Sequence, residues 1–193
     1  METNSKRDEI LDVAEAMIRN AGFNAFSTRD VANAVGIKSA SVHYHFPTKA
    51  DMGVAVTERY TSRFLEQLGD PGRFKSGARE VVALYVNSFR ETLARDDKLC
   101  LCAVLGAEIG GLPPELGSHT RIFFDRNLAW LRKALAGSSN MSAAEANAFA
   151  VHILAALEGG MILSKSLGKE KLFENVAAML KRLCDTVSPP SGQ

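Results

Sequence analysis

Between Thr28 and Lys49 the chain reads TRDVANAVGIKSASVHYHFPTK. Ser39, Ser41, His43, Tyr44 and Lys49 bring hydroxyls, an imidazole, a phenol and an ammonium into that stretch. Such groups form hydrogen bonds with phosphate oxygens and with the edges of nucleic-acid bases. Ser39 and Ser41 are short, which lets their backbone approach a groove closely, and Ala40 between them suits a thymine methyl. Tyr44 and Lys49 are long enough to hold phosphates and fix a docking register. A metal at His43 and His45 is not expected, because residues two apart on a helix point to different faces.

To present these groups together, the segment must form two short helices joined by a tight turn at Gly36. Val31, Ala32 and Val35 supply the buried face of the first, and Ile37 and Val42 fit beneath the second. Thr28 or Ser27 can cap the first helix, with Asp30 near its positive end. Ser39 or Lys38 opens the second, which stops at Phe46-Pro47 because proline disfavours helix in the residue before it. Upstream, Ile10, Val13, Ala14, Met17 and Ile18 mark an amphipathic helix that Gly22 ends, and Phe23 and Phe26 look like plugs into a small core. Downstream, Thr48 caps a fourth helix to about Leu68, with Met52, Val56, Tyr60 and Phe64 on one side. This is the layout of a helix-turn-helix whose second helix enters a DNA major groove. The plainer alternative is a three-helix packing unit with no nucleic acid near it. The run HYHFPTK weighs against that, since core packing has little use for such a composition.

Bulk properties bound the reading without deciding it. In 193 residues, 23 Lys and Arg against 22 Asp and Glu give a net charge of +1. Residues 1–65 hold eight of each sign, so affinity for a polyanion must come from a local patch or from a doubled site. Three cysteines, an odd number, argue against a disulfide framework and fit a reducing cytoplasm. The polar start METNSKRDE and the lack of an apolar run of spanning length predict no signal peptide and no membrane segment. There is no Gly-rich phosphate loop, no H-E-x-x-H and no recognisable Ser, His and Asp constellation, so no enzyme and no cofactor is expected.

The whole chain reads as all-α, an N-terminal three-helix helix-turn-helix domain followed by a larger C-terminal helical domain. Gly69-Asp70-Pro71-Gly72 is the clearest break. The expected division is 1–68, including the fourth helix as connector, then 69–188, with 189–193 a frayed tail. Further helices are expected at 73–95, 99–109, 115–136, 142–166 and 169–187, with loops at 110–114 and 137–140. Ser142 and Glu145 have capping-box spacing.

Gly22-Phe23, Thr28, Val31-Ala32, Val35-Gly36-Ile37, His43-Tyr44-His45-Phe46 and Lys49 together resemble the N-terminal signature of the tetracycline-repressor-like (TetR/AcrR) transcriptional regulators. The likeness covers about residues 6–65; beyond it, helical layout, length and the stretch Leu157-Glu158-Gly159-Gly160 are similar. The resemblance implies that Thr28 and Arg29 contact the DNA backbone or groove edge. Ser39, Ala40, Ser41 and His43 would lie in the groove, with Tyr44, His45 and Lys49 on phosphates or the helix end. Lys38 stands where the family usually has a Ser cap, and His43 where a Tyr is usual; both add potential positive charge toward DNA.

It also implies a cytoplasmic homodimer on a palindromic double-stranded operator, most simply a repressor released by a small molecule in the ligand-binding and dimerisation domain, residues 69–188. Tyr85, Phe89, Cys100, Cys102, Phe123, Trp130 and His152 are the candidate ligand lining. Ala155, Ala156 and Gly159 are small enough for close helix approach, and with Phe173, Val176 and Leu180 of the last helix they form the candidate dimer surface. Glu158 reads as a helix-face or interface residue. Two alternatives stay open: a regulator switched covalently at Cys100 or Cys102 by oxidation or electrophiles, and a helical protein-interaction module without DNA binding.

Overall fold

Caps and turn glycines set most of the helix ends. In the computed structural model, which describes residues 5–75, 77–96, 98–138 and 141–187, Ser5 caps α1 (Lys6–Ala21) by accepting from the Asp8 N–H. Ser27 caps α2 (Thr28–Val35), and α3 (Ser39–His45) ends at Phe46 before Pro47. Next come α4 (Lys49–Leu68), α5 (Ala78–Asp96), α6 (Leu101–Ala107) and α7 (Pro114–Ser138). Ser142 and Glu145 form the expected capping box at the start of α8 (Ala143–Leu167), and α9 (Lys171–Val187) follows. No strand forms among the described residues, in keeping with the all-α expectation. Helix α7 continues through Gly137 and Ser138, where a loop was expected, because Ala134, Leu135 and Ser138 carry its buried face to the last turn. Ser139, Asn140 and the 189–193 tail lie outside the described residues.

The packing divides into two compact units that are not consecutive in the chain. The first combines residues up to Arg63 with Leu101–Phe123; the second combines Phe64–Cys100 with the residues from Phe124 onward. The expected division at 68/69 differs from this. Gly69 does end α4, with φ +70°, but a turn marks where a helix stops and not which helices pack together.

In the first unit, Ile10, Leu11, Ala14 and Ile18 of α1 are buried with Val31, Ala32, Val42, Met52 and Val56. Ion pairs tie α1 to α4 at its edge: Arg59 to Asp12 at 2.7 Å and Arg63 to Glu15 at 2.5 Å.

The second unit packs α5, α8 and α9. Gly160 of α8 lets Val176 of α9 approach, since a Cβ there would lie 3.2 Å from the Val176 Cγ2. Arg90 clasps Glu174 through two nitrogens at 2.7 and 2.8 Å. Helix α8 departs from the expectation of no spanning-length apolar segment. By length and composition it is apolar enough to cross a membrane, and much of it is buried in the fold. Its alanines and the runs Ile153-Leu154 and Met161-Ile162-Leu163 supply that apolarity.

Candidate functional site

The exposed face of α3 is built by two local devices. Ser27 and Asp30 form a reciprocal capping box: the Ser27 N–H and hydroxyl both donate to Asp30 Oδ2 at 2.7 Å, and the Asp30 N–H returns to Ser27 Oγ. Those bonds hold the Asp30 carboxyl below its ordinary value. At the other end of α2, Gly36 takes the left-handed conformation with φ +74°, and the Ile37 N–H donates to the Ala32 carbonyl at 3.0 Å. That closure needs a residue without a Cβ penalty at positive φ.

Val42 then turns into the core while Ala40, Ser41, His43 and Tyr44 face outward, Tyr44 with 84% of its surface exposed. Ser39 and His45 are half-buried, as is Thr28, and Arg29 and Lys38 are exposed. A shallow open depression of about 400 Å³ follows this face, lined by Lys6, Ile37, Ala40, Ser41, Tyr44 and His45. Lys6 was missed in the sequence; the Lys6-Arg7 pair opening the first helix was the available signal. His43 Nδ1 lies 3.2 Å from the Pro47 carbonyl oxygen, so it carries the proton and Nε2 is left to meet a partner.

Lys49 corrects the expectation of a phosphate contact. Its ammonium turns inward and donates to the carbonyls of Phe23 and Phe26, 4.4 Å from the centroid of each ring. Burial pushes it below its ordinary value, against the pull of Glu108 and Asp30. From the other side, Glu108 accepts the Phe23 N–H at 2.7 Å. Gly22, with φ +92°, makes room for that carboxylate: a Cβ there would lie 2.3 Å from Glu108 Oε1. The turn before α2 is thus held by one cation and one anion, and neither was legible as a positioning residue.

Residues 10–56 match the family described as bacterial regulatory proteins, tetR family, and residues 78–179 match the transcriptional regulator LmrA/YxaF-like C-terminal domain. A TetR transcriptional regulator from Legionella pneumophila is 30% identical; the superposition covers 95% of this chain and all of the other, with a TM-score of 0.86. The chain belongs to the tetR family. A second tetR-family regulator, from Agrobacterium tumefaciens, is 26% identical over 93% of this chain and 97% of its own, with a TM-score of 0.84. Among curated relatives, the HTH-type transcriptional repressor KstR2 of Mycobacterium tuberculosis is 41% identical over 51 residues. That stretch spans only 26% of either chain.

The ligand-lining candidates of this tetR-family chain divide three ways. Tyr85, Phe89, Cys100 and Trp130 come together as buried residues of the second unit. Tyr85 is the hub, with ring centroids 5.4 Å from Phe89, 6.0 Å from Trp130 and 5.9 Å from Phe64. Its hydroxyl donates to Asn127 Oδ1 at 2.8 Å. Cys102 and Phe123 are buried residues of the first unit, where Phe123 packs on Tyr60 at 5.8 Å. His152 is exposed and does not line an interior, because Phe149, Ile153 and Leu157 carry the buried stripe of α8 and leave position 152 outside it.

Glu158, expected on a helix face or interface, is buried. Neither carboxylate oxygen has a hydrogen bond of ordinary geometry, and the Cys100 thiol is a weak donor beside them. Burial pushes the carboxyl up to about 7, and the Cys100 thiol offsets part of that. The Tyr85 hydroxyl is also pushed well up, first by burial and then by Glu158 and Cys100.

The dimer candidates need a similar correction. Phe173 and Leu180 are each 1% exposed and belong to the chain's own core, since the α8–α9 contact uses that stripe internally. Val176 is half-buried against Gly160. Ala155 is exposed, and Ala156 and Gly159 are half-buried. Sequence reasoning passed over Val151, Ile162 and Leu163 of α8 and Met179 of α9, all large, apolar and exposed. A helix apolar on every side was the signal.

Proposed function

We propose that this protein is a cytoplasmic transcriptional repressor that binds a palindromic double-stranded operator as a homodimer. A small molecule held by residues 69–188 releases it. The observation that carries the reading is the outward row Ala40, Ser41, His43 and Tyr44 on α3, behind the Gly36 turn and flanked by Lys6 and Lys38. With α3 in a major groove, Ser41 and His43 Nε2 reach base edges or phosphate, Ala40 meets a thymine methyl, and Tyr44 holds a phosphate. Thr28 and Arg29 meet the groove edge from the start of α2.

One such helix reads one half-site, so a second copy is needed for affinity. The exposed apolar residues Val151, Ala155, Ile162, Leu163 and Met179 support an α8–α9 surface for it. The repressor reading is also supported by the name of the mycobacterial relative. Release requires that the small molecule bind the conformation unable to span both half-sites more tightly, by a few kcal/mol.

The test is a gel shift of the full chain on palindromic DNA from upstream of its own gene. The expected outcome is a retarded complex whose affinity falls linearly with the logarithm of salt concentration. Absence of any complex at low salt refutes the proposal.

A further inference from the structure

We infer that the effector of this protein carries a cationic nitrogen, an amine or ammonium, which docks on Glu158 beside the aromatic group centred on Tyr85. The inference rests on the ligand-released repressor proposed above and names the chemical class of its ligand. A buried acid without a partner is costly, and an apolar side chain of similar size would fill the space without that cost. Both Glu158 oxygens are nevertheless buried in the middle of α8 without an ion pair or a hydrogen bond of ordinary geometry, beside the weak Cys100 thiol donor. Burial and the Cys100 thiol are the influences on its carboxyl, and no basic side chain is among them.

The neighbouring groups narrow what this acid can receive. The Tyr85 hydroxyl has one hydrogen, and it goes to Asn127 Oδ1. Toward Glu158 it therefore offers lone pairs, and the Cys100 thiol, a weak donor, is what the carboxyl has beside it. The rings of Tyr85, Phe89 and Trp130 lie within 34° of parallel to Tyr85, and their electron-rich faces attract a cation. An ammonium suits a carboxylate, a phenol oxygen and aromatic faces alike. An anion would meet the charge of the ionised carboxyl and the lone pairs of the phenol.

Three probes of one length and one aromatic body separate the possibilities: 4-phenylbutylamine, 4-phenylbutan-1-ol and 4-phenylbutanoate. Added to the full-length protein, the amine is expected to raise the melting temperature by about 5 °C once it exceeds its Kd a hundredfold. The alcohol should give a smaller rise and the carboxylate none. In Glu158→Gln the advantage of the amine over the alcohol should vanish. Equal shifts for amine and alcohol, a preference for the carboxylate, no shift with any probe, or an amine advantage that survives Glu158→Gln would each overturn the inference. The ranking is read first in the wild-type chain, so it decides the matter even if the variant does not fold. Operator release is scored separately: an amine that stabilises the protein but leaves its DNA complex intact upholds the Glu158 site and refutes release by ligand.

Discussion

The recognition helix and the interior of the second unit spend polar side chains in opposite directions. On α3, Ser41, His43 and Tyr44 stand exposed on a scaffold whose turn is closed by backbone bonds, and His43 adds one bond to the Pro47 carbonyl. In the second unit, Tyr85, Asn127 and Glu158 are buried, and Glu158 has only the weak Cys100 thiol beside it. Outward polar groups cost the fold little and wait for a ligand; inward ones burden the fold until something meets them. A group of the first kind should affect binding without affecting stability. A group of the second kind should affect both.

The largest effect expected from this contrast is on the outward side. Changing Ser41 and Tyr44 to Ala removes four contacts from a dimer, at about 1 kcal/mol each, so operator affinity should fall about a thousandfold. The melting temperature should stay within about 1 °C, because neither side chain is buried in the fold. Fluorescence anisotropy at fixed salt reads the first quantity and a thermal melt the second. A large loss of stability would mean that α3 is a packing element and would dissolve the contrast.

On the inward side, Glu158 makes stability depend on pH. Its carboxyl titrates at about 7 in the fold against an ordinary 4.5, so the unfolded chain gives up the proton first. Stability is therefore complete below about pH 4.5, falls as pH climbs to about 7, and is level above that. The total fall is about 3 kcal/mol. Urea melts of wild type and Glu158→Gln at pH 5 and pH 8 test it: the variant should lose this part of the slope and be the more stable at pH 8. Parallel declines in the two proteins would show that the Glu158 carboxyl is well solvated.

The same contrast explains what the sequence disclosed. The helix-turn-helix is written in contiguous grammar, a cap at Ser27, a left-handed glycine at Gly36 and a stop at Phe46-Pro47, so its helices and its outward row were legible. The second unit is assembled from α5, the part of α7 from Phe124 onward, α8 and α9, and nothing local distinguishes Glu158, which is buried, from His152, which is exposed. Phe173 and Leu180 were misread for a related reason: apolar spacing fixes a helix face but not whether the chain or a second copy covers it. Lys49 was misread because a lysine after a proline stop looks like a phosphate ligand until Phe23 and Phe26, more than twenty residues away, are seen around it.

Lys49 sharpens the comparison, since it lies beside the recognition face and yet turns inward. Lys49→Met should destabilise the protein by about 2 kcal/mol by leaving two carbonyls without a donor and two rings without their cation. A phosphate contact would instead contribute about 0.9 to the slope of log affinity against log salt, doubled in a dimer. The expected result is a lower melting temperature with an unchanged salt slope. A slope reduced by about 1.8 with stability intact would return Lys49 to the DNA surface.

The smallest expected effect tests whether the outward face depends on local grammar alone. Ser27→Ala removes the hydroxyl that joins the Ser27 and Asp30 capping box, at a cost of about 1 kcal/mol. Helix α2 has eight residues, too few to hold its first turn without tertiary contacts, so the loss should appear there first. Hydrogen exchange should quicken at the first-turn amides of α2 and at Ile37, whose N–H closes onto Ala32, while the amides around Tyr85 and Glu158 keep wild-type protection. Operator affinity should weaken several-fold because α3 is aimed through that turn, and the amine-induced melting shift should be unchanged. Faster exchange in the second unit as well would mean that the cap supports the whole chain, and the separation between a locally written face and a globally assembled interior would fail.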